Sequence, residues 1–137
     1  MYEYRCKVVH IVDGDTVDVD IDLGFGVWMK KQRIRMYGID TPESRTRDLE
    51  EKKYGLAAKK FLTGMLDDEA GIILKTHKDK EGKFGRILGE LWRTTNYADQ
   101  SINEYMIEKH HAVRYMGQSK ESIEEDHIKN RELVTLL

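Results

Sequence analysis

Among its 137 residues the chain has one cysteine, Cys6, and one proline, Pro42. A lone thiol excludes an intramolecular disulfide and leaves a thiolate zinc site without a second sulfur. The five histidines (His10, His77, His110, His111 and His127) lack the His-x-x-x-His spacing that sets two imidazoles on one helix face, so structural positions are expected for them. No apolar run approaches the roughly 20 residues of a membrane helix. The start, Met1-Tyr2-Glu3-Tyr4-Arg5, shows no basic region followed by an apolar stretch and a small-residue cleavage site, so a cytoplasmic product is expected. Internal repeats, low-complexity tracts and linkers are also missing, which points to one domain over residues 1–137.

Charged residues make up 35% of the chain and hydrophobic ones 39%, a balance that suits a compact fold and excludes a disordered one. Tyr4 to Val12 and Thr16 to Asp22 read as strands joined by a tight turn at Asp13-Gly14. In the second, Val17, Val19 and Ile21 alternate with Asp18, Asp20 and Asp22, which predicts a buried face and a solvated one. Leu23 to Lys30, containing Gly24 and Gly26, reads as a wide hairpin loop, Lys31 to Tyr37 as a third strand and Gly38 to Arg47 as loop. Ala57, Ala58, Phe61, Leu62, Met65 and Leu66 recur at helical spacing and predict a helix over 48–66. Ile72 to Thr76 and Ile87 to Trp92 are two further strands, with a turn over 79–82. Ser101-Ile102-Asn103-Glu104 fits a capping box and starts a helix to about Lys109. A charged helix is expected from Ser119, and a segment over 133–137 that docks on the body or frays. Trp92 and Phe61 are read as core, and Trp28 as a loop side chain able either to stack on a base or to cover a core edge. The fold class is α+β, a five-stranded barrel with three helices.

Three stretches carry chemistry: Asp13-Gly14-Asp15-Thr16, Arg35 followed by Asp40-Thr41-Pro42-Glu43, and Lys83-Phe84-Gly85-Arg86. Asp-Gly-Asp-Thr alone is more often an ordinary turn. Together the three supply carboxylates (Asp15, Asp40, Glu43) as hard oxygen ligands and a base, and guanidiniums (Arg35, Arg86) that match phosphate oxygens two at a time. Pro42 pushes Thr41 towards extended backbone and stiffens the loop that aims Asp40 and Glu43. That set describes a metal-assisted phosphodiesterase. The run from Asp18 to Asp22 imitates an EF-hand start, but Leu23 and Met29 stand where Gly and Glu are needed. A net charge of −2 is low for a protein that meets nucleic acid. Lys30, Lys31, Arg33, Arg35, Arg45, Arg47, Lys52 and Lys53 cluster around the motifs, so a local basic face with weak, salt-sensitive binding is expected.

The stretches Val9 to Thr16, Arg35 to Glu43, Lys53-Tyr54-Gly55 and Lys83 to Arg86 resemble the staphylococcal nuclease (thermonuclease) family. The resemblance weakens towards Tyr115 and excludes the last helix. It implies an OB-fold barrel with three helices, one Ca²⁺ held by Asp15, Asp40 and Thr41, and catalytic Arg35, Glu43 and Arg86. It further implies cleavage of DNA and RNA at the 5′ P–O bond, leaving 3′-phosphates; little sequence specificity, a preference for single-stranded or breathing nucleic acid and no obligate protein partner are expected with it. Lys83, Phe84 and Tyr115 would contact substrate, with Phe84 standing where the family commonly has Tyr. The Glu43 to Arg47 stretch resembles versions carried by phages and their bacterial hosts. Two rivals stand beside this reading: a catalytically silent nucleic-acid-binding module of the same fold, and a protein-interaction barrel whose carboxylates bind structural calcium.

Overall fold

The computed structural model describes residues 2–77 and 86–136. Strands β1 (Glu3–Asp13), β2 (Thr16–Gly24), β3 (Val27–Met36), β5 (Ile72–His77) and β6 (Ile87–Arg93) close into a barrel in the order β1-β2-β3-β6-β5. All neighbours pair antiparallel except β3 and β6, which run parallel and meet only over Ile34–Met36 and Ile87–Gly89. Two short strands, β4 (Ile39–Asp40) and β7 (Val113–Arg114), pair beside the barrel. Helices α1 (Leu49–Leu66), α2 (Ile102–Glu108) and α3 (Lys120–Leu133) complete the fold. The α+β barrel with three helices is therefore present as the alternation and helical spacing predicted.

Alternating apolar residues fill the barrel: Val17, Val19, Ile21, Ile34, Met36, Leu74 and Leu91 are all sealed from water. Helix α1 lays Ala58, Leu62 and Leu66 over it, and α2 adds Ile102 and Met106. Truncating a side chain as enclosed as Leu62 costs about 2–5 kcal/mol. Asp48 caps α1 by accepting from the amides of Glu50 and Glu51, which neutralises donors the helix itself leaves open. Buried Asn103 accepts from the Leu91 amide at 3.1 Å and donates to the Tyr37 and Gly89 carbonyls at 2.8 and 3.2 Å, tying α2 to the barrel where β3 and β6 meet.

Several local expectations differ from the structure. The wide loop over 23–30 is a two-residue turn, Phe25-Gly26, because Gly24, Phe25 and Gly26 adopt φ of 85, 56 and 76° and reverse the chain at once. Trp28 thus lies on β3, with Lys7 and Lys30 over its ring. Gly38 to Arg47 is not loop throughout, since Ile39 and Asp40 are held by β7. The aspartate face of β2 is solvated only in part: Asp20 and Asp22 keep some exposure, whereas Asp18 is 3% exposed and takes a two-point contact from Arg33 at 2.9 and 3.2 Å. Ser101 accepts from the Glu104 amide, but the Glu104 carboxylate turns to Arg114, so only half of the capping box forms. Trp92 is half-buried rather than core; its indole donates to Glu90 and Lys75 lies 4.0 Å above its ring. Phe61 is partly buried against the core and stacks on His111. The turn expected over 79–82 lies outside the described residues.

Candidate nuclease site

The β1–β2 turn is fixed from three sides before any side chain reaches the site. The Asp15 carbonyl accepts from the Met36 amide at 2.8 Å, its Oδ1 from the Thr16 hydroxyl at 2.9 Å and its Oδ2 from the Thr41 amide at 3.1 Å. Gly14 is needed because a Cβ there would lie 2.9 Å from Ala58 Cβ and 3.0 Å from Thr41 Oγ1. Asp13, which sequence reasoning treated only as part of a turn, accepts from the Ser44 hydroxyl and lies 3.5 Å from Arg45, so it tethers the loop that carries Glu43.

Arg35 projects from β3 between two of the expected acids. Its Nη2 is 3.5 Å from Asp15 Oδ2 and 3.4 Å from Asp40 Oδ1, while Nη1 donates to the Met36 carbonyl at 3.0 Å. Asp40 is aimed by the β4–β7 pair. Arg35, Asp40, Thr41, Glu43, Arg86 and Tyr115 line one cleft of about 660 Å³. Asp15 joins them through Arg35 and Thr41, so the two distant stretches and Arg86 converge. Lys83 and Phe84 lie outside the described residues.

Helix α1 sets the height of Glu43. A Cβ on Gly55 would fall 2.1 Å from the Glu43 carbonyl oxygen and 2.7 Å from the Ser44 amide nitrogen, so the helix approaches this backbone as closely as only glycine permits. The Glu43 amide donates to Glu51 at 2.9 Å. Burial, then the charges of Asp13, Asp15, Glu51 and Asp40, push the Glu43 carboxyl above its ordinary range. A carboxylate so placed holds a proton more readily than a free glutamate, which suits a group that accepts one from water.

The donors available for an ion are all oxygens: the Asp15 and Asp40 carboxylates and the Thr41 main chain and hydroxyl, the last sealed from solvent without a hydrogen-bond partner. Such a set fits a hard cation such as calcium or magnesium and not zinc. Among the described residues no three His, Cys, Asp or Glu side chains gather tightly enough to cage a metal unaided. Water and substrate oxygens would have to complete a shell here.

Sequence reasoning missed His127. Its Nε2 stands 2.9 Å from Asp40 Oδ2 and its ring lines the cleft, with Lys120, Glu124 and Arg131 of α3 beside it. The expected basic face is also less free than its composition suggested. Arg33 is paired with Asp18, Lys30 with Asp20, Arg45 with Asp13 and Lys53 with Glu50.

Over residues 33–133 the chain matches the family model described as staphylococcal nuclease homologue. The chain belongs to the staphylococcal nuclease homologue family. A thermonuclease of Staphylococcus hyicus is 33% identical over 90 residues, 66% of this chain and 49% of that protein. Protein ParB of Escherichia coli is 32% identical over 118 residues, covering 82% of this chain and 58% of its own length. An uncharacterised protein of Bacillus anthracis is 38% identical over 82 residues, 60% of this chain and 36% of its own. The chain thus spans between 36% and 58% of the length of these relatives. The family model begins at Arg33 and so takes in Arg35, Asp40, Glu43, Arg86 and His127, while Asp15 precedes it. Family and thermonuclease relatives together make this a nuclease-like domain. No helix among the described residues is long and apolar enough to cross a membrane.

Proposed function

We propose that the chain is a calcium-dependent nuclease, one domain over residues 1–137, that hydrolyses DNA and RNA with little sequence specificity, prefers single strands and leaves 3′-phosphate ends. The observation that carries this reading is Arg35, whose Nη2 reaches Asp15 and Asp40 within 3.5 and 3.4 Å in a cleft shared with Glu43 and Arg86.

Asp15, Asp40 and the Thr41 carbonyl would hold the calcium ion. When bound, that ion supplies positive charge that polarises a phosphoryl oxygen and acidifies nearby water. Glu43 orients a water molecule and takes its proton as the oxygen attacks phosphorus. The bond to the 5′ oxygen breaks, and the leaving oxygen takes a proton from solvent water, to which Glu43 returns the one it accepted. Arg35 and Arg86 neutralise charge growing on the equatorial oxygens. Tyr115, exposed at the rim, faces the sugar and base, and Lys83 and Phe84 contribute further substrate contacts. Pairing of several surface cations with neighbouring acids supports modest affinity, compatible with turnover.

Cleavage of matched DNA and RNA oligomers, with and without calcium, tests the proposal, with product ends identified. Glu43→Gln and Arg86→Ala should each lose at least about 10²-fold in rate. Undiminished cutting by either variant rejects the assignment.

A further inference from the structure

The cleft is larger than one phosphoryl group requires, and its far wall is α3, a helix that none of the expected site residues occupies. Arg131 stands on that wall in the last turn of α3. Its guanidinium lies 5.4 Å from the ring centre of Tyr54, and its backbone carbonyl accepts from the Tyr54 hydroxyl at 3.5 Å. Lys53 sits 5.2 Å from the same ring. Among the described residues Arg131 forms no ion pair, and its Nε is sealed from solvent without a hydrogen-bond partner. Acids do line the cleft, Asp48, Glu51 and Glu124 among them, yet Glu51 is turned to the Glu43 amide and none is within ion-pair distance of Arg131. A guanidinium held beside a ring and engaged in no ion pair can offer its terminal N–H groups to an oxyanion, because a planar fork meets two oxygens together.

We propose that Arg131 forms a second phosphate site, which grips the phosphate next to the scissile one and lays a nucleic-acid strand along α3. The proposal rests on the nuclease reading and deepens it: the substrate becomes an oligonucleotide spanning at least two phosphates, not a single phosphodiester. Arg35 and Arg86 would serve one phosphate and Arg131 the neighbouring one, with the intervening sugar in the cleft that all three line.

The test uses Glu43→Gln protein with calcium, so that strands bind without being cut, and compares it with the Glu43→Gln/Arg131→Gln and Glu43→Gln/Arg131→Lys variants. Affinity is measured by fluorescence polarisation for a dinucleoside monophosphate and for single strands of increasing length over a range of salt. Arg131→Gln should weaken oligonucleotide binding about tenfold, leave the dinucleoside monophosphate unaffected and make the slope of log affinity against log salt shallower by about 0.7. Arg131→Lys keeps the charge, so the slope stays while long strands still bind more weakly; circular dichroism confirms that the variants are folded. Parallel salt slopes for Arg131→Gln, unchanged long-strand affinity for Arg131→Lys, or equal losses at every length would overturn the second site and leave the nuclease reading standing. Failure of the Glu43→Gln parent to bind any strand, together with failure of the unsubstituted chain to cut one, would overturn both.

Discussion

His127 Nε2 lies 2.9 Å from Asp40 Oδ2, joining the last helix to strand β4 across 87 positions of sequence. The contact fixes one carboxylate oxygen and leaves the other towards Arg35 at 3.4 Å. A side chain that orients a ligand sets how readily the ligand serves its ion, and loss of such a partner typically weakens metal affinity by 10–100-fold. If Asp40 holds the proposed calcium ion, His127→Ala should raise the calcium concentration needed for half-maximal cleavage about tenfold, while His127→Gln, which retains an N–H donor, recovers most of it. Calcium titrations followed by thermal melting read the same shift independently of turnover.

Gly55 makes the opposite kind of contribution, through what it omits. An added methyl group would lie 2.1 Å from the Glu43 carbonyl, so helix or loop must move. Overpacking of this kind costs about 1–3 kcal/mol. Gly55→Ala should lower the melting temperature and also lower kcat, because the backbone it displaces carries Glu43. A variant that melts lower yet cuts at the original rate would show that the close approach serves packing alone.

Arg35→Lys tests geometry at constant charge. One ammonium group cannot reach Asp15, Asp40 and the Met36 carbonyl as the guanidinium does. The rate should fall about 10²-fold with little change in the folded fraction by circular dichroism. A loss under about threefold would remove Arg35 from charge stabilisation.

Asp68 supplies a pH dependence away from the site. It accepts from the Thr94 amide, then the Ala70 and Thr95 amides and the Thr95 hydroxyl, and these bonds hold its carboxyl well below the usual carboxylate range. With the folded value depressed, the unfolded chain binds the proton more tightly, so the stabilisation is present above the ordinary aspartate value and is lost as pH falls. Asp68→Asn should be less stable than the parent at neutral pH, and the gap should narrow below about pH 4. Urea titrations at several pH values measure it.

Strands and helices were legible because their periods are local: Val17, Val19 and Ile21 alternate, and Ala58, Leu62 and Leu66 fall at helical spacing. The convergence of Asp15, Arg35, Asp40, Glu43 and Arg86 was legible from residue chemistry taken as a set. His127 was not, because nothing in the sequence of α3 says which of its sides faces β4. The pairing of Arg33 with Asp18 depends on cross-strand register, which composition does not encode, so a cluster of cations read as a free basic face. The hairpin turn was misread because its apolar flanks, Leu23 and Val27, are exposed where a protruding ribbon leaves the barrel and offer no buried alternation to follow.

Cys6 sits on β1 where that strand pairs with both β2 and β5, opposite Ile21 and Ile72, and burial pushes its thiol up to about 12. A thiol that is both enclosed and protonated resists alkylating and oxidising reagents. Modification must then await separation of the barrel seam, so the rate at which a thiol reagent labels the native chain becomes a single-residue clock for large-scale opening, usable without introducing any foreign probe.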